Sequence, residues 1–565
     1  MLKGIAASDG IGIGTVVTVK HQEIKYEPKQ VTDKDGEKSR LQDGIKTFLD
    51  KTGKLAEEME KSVNAKDAEI MYGHIAMMSD PFMGQQMEEQ IDGGSCAEAA
   101  AETVLNMFRD MFAASEDELT RQRATDVEDI KSRLLKILLG IEDTDLGALP
   151  ANTILVTEDL TPSMTAEMNH DSVVGIVTES GGMTSHSAIL SRALEIPAVL
   201  SVKDAVSTLA EGSRVIVDGL HGKVLEAPTD QDVAEYQEKQ ARFLKEKEAL
   251  KSYIGKESVT ADGLHKEVFC NIGNPEDART AADRDGEGVG LFRTEFLFMD
   301  ADSIPSEEDQ YKAYKKACVA LSGKTVIIRT LDVGGDKEIP YMHIPKEENP
   351  FLGYRAIRWC LNNPAEYEKQ LRALIRANSD TGENLWIMTP MVTSVSEIKA
   401  VRSMAEKICE ETGLPVPKIG TMIETPAAFV MADVLAKYCD FFSIGTNDLT
   451  QYIMAADRGN SKVAYLYNTY DPAVLRALKR IIGCGKDAGI TVGMCGEAAA
   501  DPLLIPLLIS FGLDEFSVSP TSVLKTRAEI ARWTKDEADR IADAVMKLET
   551  AEEVKEYLDS AVSRD

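Results

Sequence analysis

The sequence predicts a multidomain α/β protein that ends in a (β/α)8 barrel of the TIM type. Three observations predict this fold. Apolar residues recur at helical spacing between about residues 30 and 140, short apolar runs alternate with loops in residues 145–226, and eight strand-like segments follow from about residue 256. Helical segments separate most of those strands, and eight βα units in about 310 residues fit one barrel.

The eight barrel strands are predicted from short apolar runs bounded by turn residues. They are Val268–Ile272, Gly288–Phe292, Val326–Thr330, Trp386–Pro390, Ile419–Ile423, Phe441–Ile444, Ile490–Met494 and Glu515–Val518.

The order of the segments also predicts a division into domains. Residues 1–25 and 143–227 are predicted to form one α/β domain, because the first residues alternate Gly with Ile and Val like a strand that pairs into a later sheet. Residues 26–142 are predicted to be a helical bundle of about four elements inserted in that domain. Residues 228–255 are predicted to be a charged linker helix, and residues 256–565 the barrel.

Composition excludes several classes of protein. The 565 residues carry a formal charge of −31, which argues against general binding to nucleic acids or anionic membranes. Eight scattered cysteines without a Cys-x-x-Cys pair indicate a reducing compartment, so we expect a cytoplasmic protein. We expect no signal peptide and no membrane insertion, because the longest apolar run is short and broken by a proline.

Methionines concentrate in the middle of the predicted helical bundle, at Met71, Met77, Met78, Met83 and Met87. Methionine side chains fill irregular cores, and they also form adaptable docking faces. The sequence leaves both interpretations open.

A glycine loop ends in a histidine and opens into a helix, in the order Gly181-Gly182-Met183-Thr184-Ser185-His186. The apolar run Val173–Val177 predicts a buried strand before it, and the apolar residues of 188–194 predict the helix after it. A helix N-terminus suits a phosphate, and imidazole is a good nucleophile near neutral pH. His186 is therefore a candidate phosphoryl carrier. The alternative is a turn histidine without a chemical role.

Arginines follow several of the predicted barrel strands, where the reactive residues of such barrels lie. Arg293 and Arg329 end two strands, Arg355 stands in a following loop, and Arg458 lies downstream of strand six. Arginine binds phosphate and carboxylate groups in bidentate fashion. A single arginine could merely pair at the surface, but four at one barrel mouth predict a site for an anionic ligand.

Two carboxylates and a thiol belong to the same predicted rim. Glu424 and Asp448 follow adjacent strands and suit a magnesium ion, although they could instead pair with the arginines. Cys495 follows strand seven and is either an inert buried thiol or a proton donor. A pocket for magnesium, phosphate and carboxylate with a thiol nearby suits phosphoenolpyruvate, whose enolate must be protonated at carbon after the phosphoryl group leaves.

Five motifs together resemble Enzyme I of the sugar phosphotransferase system. They are the loop that ends in His186, and the segments Leu291–Leu297, Asp332–Lys337, Asn349–Arg355 and Ser443–Tyr452. The resemblance extends over essentially the full length, and the order of the domains is the same.

The resemblance implies an activity, a cofactor and partners. It implies phosphoryl transfer from phosphoenolpyruvate to His186 and on to the histidine carrier protein HPr, with release of pyruvate and dependence on Mg2+. It further implies that HPr docks on residues 26–142, that the phosphohistidine domain swivels about the 228–255 linker, and that the protein is a homodimer through its barrel.

The resemblance also implies roles for single residues. His186 is expected to be phosphorylated on Nε2, and Cys495 to protonate the enolate. Thr165, near the histidine, and Lys337, in the double-glycine motif, are expected to support these groups. The expected substrate contacts are Arg293, Arg329, Arg355, Asn447, Asp448 and Arg458, and the expected magnesium ligands are Glu424 and Asp448.

Two alternative protein classes were considered, and one residue departs from the family motif. A pyruvate phosphate dikinase or phosphoenolpyruvate synthase has a similar histidine domain and barrel, but it carries a large nucleotide-binding domain where this chain has only about 110 helical residues. A non-catalytic sensor of phosphoenolpyruvate would not be expected to retain His186, Glu424, Asp448 and Cys495 together. Met183 stands where many relatives have arginine, which puts in doubt only what that arginine contributes.

Overall fold

The structure, a computed structural model, describes residues 1–19, 24, 26–62, 65–114, 118–141, 146–182, 185–299, 301–335, 339–460 and 462–562. The chain divides into two compact units, Met1–Lys247 and Glu248–Asp565. The finer division into four parts stays a prediction.

The first unit contains an eight-stranded sheet with the order β1-β8-β7-β3-β4-β5-β6-β2. Strands β3 to β6 pair in parallel, whereas β1, β2, β7 and β8 pair antiparallel with their neighbours. The strands are β1 (Leu2–Lys3), β2 (Ile5–Ser8), β3 (Ile11–Val19), β4 (Thr153–Thr157), β5 (Val173–Thr178), β6 (Ala198–Leu200), β7 (Arg214–Asp218) and β8 (Lys223–Glu226). Because β4 and β5 are parallel neighbours, the loops that follow them leave the same edge of the sheet.

Among the described residues between β3 and β4 there are five helices, where about four elements were predicted. Four of the clustered methionines, Met71, Met78, Met83 and Met87, are buried. The helices of the first unit are α1 (Lys34–Ser62), α2 (Ala65–Met78), α3 (Pro81–Asp92), α4 (Ala97–Ala113), α5 (Glu118–Leu139), α6 (Pro162–Glu167), α7 (His186–Ala193), α8 (Ala205–Thr208) and α9 (Asp230–Lys251). Helix α9 continues past the division between the units.

The second unit contains a closed barrel of eight parallel strands, which β9 completes by pairing with both β10 and β16. The strands are β9 (Glu267–Ile272), β10 (Val289–Arg293), β11 (Val326–Arg329), β12 (Leu385–Thr389), β13 (Lys418–Ile423), β14 (Phe441–Ile444), β15 (Thr491–Met494) and β16 (Glu515–Val518). The predicted barrel is thus confirmed, and no strand boundary differs from its prediction by more than one residue.

Helices surround the barrel in the order expected of βα units. They are α10 (Asp277–Asp283), α11 (Glu295–Met299), α12 (Glu307–Ala320), α13 (Ile357–Asn362), α14 (Pro364–Asp380), α15 (Val395–Thr412), α16 (Pro426–Val430), α17 (Ala432–Leu435), α18 (Thr446–Met454), α19 (Pro472–Asp487), α20 (Ile505–Phe511), α21 (Val523–Ala531), α22 (Lys535–Val545) and α23 (Ala551–Val562). None of the helices within the described ranges has the length and apolar character of a membrane span.

The strands of the barrel present different residues to its two sides. Ile327, Met388, Met422 and Phe441 form a small cluster with Cys495. The alternate residues of the same strands join the much larger core that includes the surrounding helices. The carboxyl ends of the strands lead into charged residues, and these surround the cavity described next.

Candidate active site

A cavity of about 270 Å³ lies at the carboxyl ends of the barrel strands. It brings together all eight barrel residues that the sequence singled out and whose positions the structure describes. These are Arg293, Arg329, Arg355, Glu424, Asn447, Asp448, Arg458 and Cys495.

Arg329, the last residue of β11, is almost fully buried and pairs with two carboxylates. Its Nη2 lies 2.5 Å from Glu295 Oε1, and its Nη1 lies 3.0 Å from Asp332 Oδ2. Burial disfavours the charge, but the carboxylates of Glu295 and Asp332 outweigh it and raise the pKa of the guanidinium. The side chain is therefore a permanent and immobile cation.

Arg355 holds two carboxylates together. It donates to both oxygens of Asp332, with Nε–Oδ1 and Nη2–Oδ2 distances of 3.0 and 3.1 Å. It also donates to both oxygens of Asp448, at 3.4 and 3.2 Å. Burial opposes its charge, yet Asp332 and Asp448 raise its pKa. Asp332 therefore lies between two arginines, Arg329 and Arg355, and the three form one buried network.

Glu424 follows β13 and is 1% exposed. Its Oε1 accepts a hydrogen bond from the backbone N–H of Met391 at 2.6 Å. Burial raises its pKa to about 8, and the nearby carboxylates of Asp448 and Asp332 add to the shift. A cation beside Glu424 and Asp448 would relieve this repulsion.

The donor set of this corner suits Mg2+. Within the described part of the chain, no group of three or more His, Cys, Asp or Glu side chains could hold a metal ion. Glu424 and Asp448 both line the cavity, and Asp448 also accepts from Arg355, as the alternative interpretation of the sequence allowed. Mg2+ commonly binds through one or two carboxylates and takes its other ligands from substrate phosphate and water.

Cys495 follows β15 and is 4% exposed. Burial raises the pKa of its thiol to about 11, although Ser443 opposes part of that shift. The Sγ lies 3.8 Å from the carbonyl oxygen of Ile444. At neutral pH the group is a thiol that can give up a proton, rather than a thiolate nucleophile.

The remaining cationic and amide groups of the cavity are less constrained. Arg293 is half-buried, and no ion pair joins it to another residue that the structure describes. Asn447 Oδ1 accepts from the backbone N–H of Glu497 at 3.3 Å. The Arg458 guanidinium lies 5.7 Å from the centre of the Phe351 ring, a cation–π distance.

The predicted phosphohistidine loop lies in the first unit. His186 is the first residue of α7, and Ser185 caps this helix by accepting from the Ala188 N–H at 3.3 Å. Ser185 also donates to the carbonyl of Gly182 at 2.8 Å. Gly181 has φ of +102°, a conformation that favours glycine. Met183 lies outside the described residues.

Neighbouring residues join this loop to the one after β4. Ser187 Oγ donates to Asp159 Oδ1 at 2.6 Å, directly beside His186 in the chain. Thr165 is buried in α6, and its hydroxyl donates to the carbonyl of Thr161 at 3.2 Å. The other predicted supporting residue, Lys337, lies outside the described residues.

Sequence reasoning assigned no role to two acidic partners of the arginines, Glu295 and Asp332. Glu295 and Asp332 were noticed in motifs, but only the structure shows that they pair with Arg329 and Arg355. The signal available was position, because Asp332 stands three residues after the last residue of β11 and Glu295 two residues after that of β10.

Models of known protein families match most of the chain. Three family models match: "PEP-utilising enzyme, N-terminal" over residues 3–123, "PEP-utilising enzyme, mobile domain" over 149–222, and "PEP-utilising enzyme, PEP-binding domain" over 247–535. Among solved structures, the solution structure of Enzyme I (nEIt) covers 43% of this chain and 99% of its own, with 32% identity and a TM-score of 0.39.

Relatives named phosphoenolpyruvate-protein phosphotransferase align over nearly their full length. The Bacillus subtilis protein is 43% identical over 98% of both chains. The Staphylococcus carnosus protein is 42% identical over 98% of this chain and 97% of its own, and the Listeria monocytogenes protein is 42% identical over 99% and 98%. The chain therefore belongs to the phosphoenolpyruvate-protein phosphotransferase family.

Proposed function

We propose that this protein transfers the phosphoryl group of phosphoenolpyruvate to His186 and then to the histidine carrier protein HPr, releasing pyruvate. The observation that carries the proposal is the barrel cavity, where Arg293, Arg329, Arg355 and Arg458 surround two carboxylates that suit Mg2+. Phosphoenolpyruvate has both a phosphate and a carboxylate for these cations to bind. Family membership supports the same reaction.

The arginines would divide the work of binding. Arg329 and Arg355 are fixed by their carboxylate partners, so they need no reorganisation when charge develops on the transferring group. Arg293 has no such partner among the described residues and is available to the phosphate. Asn447, Asp448 and Arg458 complete the proposed substrate contacts.

Glu424 and Asp448 would hold Mg2+. The bound ion would supply positive charge that offsets the negative charge of the transferring phosphoryl group. Glu424 must lose its proton to serve as a ligand, and its raised pKa makes this step sensitive to pH.

The chemistry that the chain's own residues perform has two parts. Nε2 of His186 attacks phosphorus in line, and the bond from phosphorus to the enol oxygen breaks, which leaves the enolate of pyruvate. The Cys495 thiol then donates its proton to C3 of the enolate, and the electron pair of the carbon–carbon double bond takes it up. Thr165 and Lys337 would support these groups.

His186 must occupy two positions in turn, because it meets phosphoenolpyruvate at the barrel cavity and then meets the carrier protein. We therefore infer that the histidine-bearing part of the first unit swivels, and that the 228–255 linker accommodates the movement. HPr would dock on residues 26–142. Support for this comes from the exposed side chains of Phe82, Met107 and Met111 in α3 and α4.

The protein is further inferred to work as a cytoplasmic homodimer that associates through the barrel. The half-exposed apolar side chains of Val430 and Met431 support an interface on that unit. Sedimentation of the full chain across a concentration series tests the dimer. A monomer at every concentration would contradict it.

Intact-mass measurement after incubation with phosphoenolpyruvate and Mg2+, without nucleotide, tests the central proposal. The protein is expected to gain one acid-labile phosphoryl group and to pass it to added HPr. His186→Ala should gain none while still binding phosphoenolpyruvate by calorimetry, and His221→Ala, which changes an exposed histidine, should gain one. An unmodified mass for folded wild-type protein would overturn the proposal.

The role of Cys495 has its own test. Cys495→Ala is expected to slow the formation of pyruvate far more than it weakens substrate binding, since burial keeps the group in its proton-donating form. Pyruvate formation at the wild-type rate would mean that another group supplies the proton.

A further inference from the structure

An aromatic ring lies next to two arginines of the cavity without lining the cavity itself. Phe351 is the middle residue of a short 3-10 turn, Pro350–Leu352, in the loop that follows β11, and it is half-buried. The guanidinium carbon of Arg458 lies 5.7 Å from the centre of its ring, and that of Arg355 lies 5.9 Å from it. Both distances are within cation–π range. One ring therefore connects two cations of the proposed substrate site.

The two arginines differ in how else they are held. Arg355 donates to Asp332 and to Asp448, so two carboxylates fix its guanidinium whether or not the ring is present. Arg458 lies four residues beyond the end of α18, and its backbone N–H donates to Gln451 Oε1 at 3.2 Å. This bond fixes the backbone of Arg458, and the ring then meets the far end of its long side chain.

The turn that carries the ring is tied to α18. The hydroxyl of Tyr452 donates to the backbone carbonyl of Phe351, and it accepts from Nη1 of Arg355 at 3.4 Å. Tyr452 and Gln451 are neighbouring residues of α18. The same helix therefore holds both the turn with the ring and the backbone of Arg458.

The turn is also fixed on its other side. Glu347 Oε2 accepts from the backbone N–H of Tyr354 at 2.8 Å, and a Cβ at Gly353 would lie 1.9 Å from that oxygen. A side chain at position 353 would thus overlap the carboxylate. Arg358 Nη1 donates to the carbonyls of Leu352 and Gly353, both at 2.8 Å. A ring carried by so constrained a turn is a fixed surface.

A fixed ring face has a specific use beside a site for anions. Its π electrons attract a guanidinium, and they do so more strongly where water is excluded. An arginine side chain that moves freely loses rotational freedom when it binds a ligand, and this loss weakens binding. A guanidinium that already rests on a fixed ring has given up part of that freedom beforehand. The two carboxylates do this for Arg355, and the ring can do it for Arg458.

We propose that Phe351 is a positioning residue, whose ring holds the guanidinium of Arg458 in place for phosphoenolpyruvate. The inference rests on the proposed function, which makes Arg458 a substrate contact. Because the ring does not line the cavity, it acts through Arg458 rather than by touching the substrate. The electron density of the ring face then matters, and not only the volume of the side chain. The alternative is an apolar side chain that merely packs under the loop.

Fluorinated rings separate these two roles. Phosphoenolpyruvate is titrated in a calorimeter, with Mg2+ present, into the full chain carrying His186→Ala, which cannot consume it. Phe351 is replaced by phenylalanine with one, two or three ring fluorines, which withdraw electron density from the ring face and change its size little. The dissociation constant is expected to rise with each fluorine, to about fivefold with three. Fluorine makes the ring more apolar, so a role in packing alone predicts no rise.

Phe429 supplies the matched control. It is also a half-buried phenylalanine of the second unit, in α16, and no cation–π contact joins it to another residue that the structure describes. The same fluorinated series at this position should leave the dissociation constant unchanged.

A double-mutant cycle tests whether the ring acts through Arg458. Phe351→Leu keeps an apolar side chain and removes the ring face, so the dissociation constant should rise about fivefold while Arg458 is present. In the Arg458→Gln background the same substitution should change it little, because the cation that the ring holds is gone. An equal rise in both backgrounds would show a structural effect independent of Arg458, and the inference would be wrong.

A dissociation constant that stays the same throughout the fluorinated series would also overturn the inference. Should Phe351→Leu fail to fold by circular dichroism, the fluorinated proteins decide, since they keep the ring. If the His186→Ala protein with an unmodified Phe351 binds no phosphoenolpyruvate, the proposed function is wrong and the inference falls with it. Binding by that protein without any dependence on fluorine refutes the role of Phe351 alone.

Discussion

The barrel cavity and the histidine loop offer different kinds of groups to a phosphoryl group. The cavity holds Arg329 and Arg355 in a buried network with Asp332. The loop is held by serine hydroxyls instead, because Ser185 caps the helix and Ser187 donates to Asp159.

This difference suits the two tasks that we propose. A donor site must stabilise charge as it develops, and fixed charges do this without reorganisation. A carrier must release the phosphoryl group to a second protein, and the free N–H groups of a helix N-terminus bind it with partial charges only. Variants of the cavity should therefore change barrel stability or substrate binding, whereas variants of the histidine loop should change only the local stability of its helix, and by less.

The largest effect is expected from Arg355→Met, which leaves Asp332 and Asp448 without their shared cation. The barrel should lose about 3–5 kcal/mol of its free energy of unfolding, since a buried charge is left uncompensated. All three tryptophans, Trp359, Trp386 and Trp533, lie in the second unit, so tryptophan fluorescence in urea reports barrel unfolding. A loss below about 1 kcal/mol would show that the network is not a structural unit.

A smaller effect, confined to binding, is expected from Arg293→Gln. Arg293 is free of ion pairs among the described residues, so its loss should barely change barrel stability. Binding of phosphoenolpyruvate should weaken by about 1.5–3 kcal/mol, the usual contribution of a hydrogen bond to a charged group, and the KM should rise accordingly. Steady-state kinetics measures it, with the exposed Arg480→Gln as the matched control. An unchanged KM would remove Arg293 from the site.

Magnesium affinity is expected to depend on pH through Glu424, whose pKa is raised to about 8. Below that pH a proton competes for the carboxylate, so the dissociation constant should rise about tenfold, or 1.4 kcal/mol, for each unit of pH lowered. Above about pH 8 the dissociation constant should no longer change with pH. Calorimetric titration of Mg2+ between about pH 6.5 and about pH 9, on both sides of this pKa, checks the dependence. Glu424→Gln should bind weakly and without this slope.

The smallest effect is expected from Ser185→Ala in the first unit. Loss of the helix cap should cost about 1 kcal/mol, and no buried charge is uncovered. Hydrogen–deuterium exchange of the α7 amides measures the change locally. A loss of stability as large as that expected from Arg355→Met would show that the histidine loop is held as strongly as the cavity. The contrast between the two regions would then be wrong.

The sequence predicted the barrel well, because its strands are short apolar runs whose pattern is local. The position of Arg293 and Arg329 at strand ends was enough to predict that they meet. The partners of these arginines depend on the register between strands, and no local pattern specifies register. Asp332 was therefore seen in a motif without its role as the shared partner of two arginines.

Glu515, the first residue of β16, shows the same limit more sharply, because it is 1% exposed. An acidic residue at the start of a strand predicts an exposed rim position, and only the glycines at 290 and 493, far away in the sequence, explain how the side chain can turn inward. The roles of His186, Thr165 and Lys337 stay predictions, since Lys337 and part of the histidine loop lie outside the described residues.

The closed ring of strands has a consequence for the behaviour of the chain in concentrated solution. Each of the eight barrel strands is paired on both sides, so this sheet offers no open edge to which another chain could add a strand. The sheet of the first unit does have edges, but they are β1 with two residues and β2 with four. Such short edges are poor templates for aggregation, so both sheets are protected, one by closure and the other by brevity.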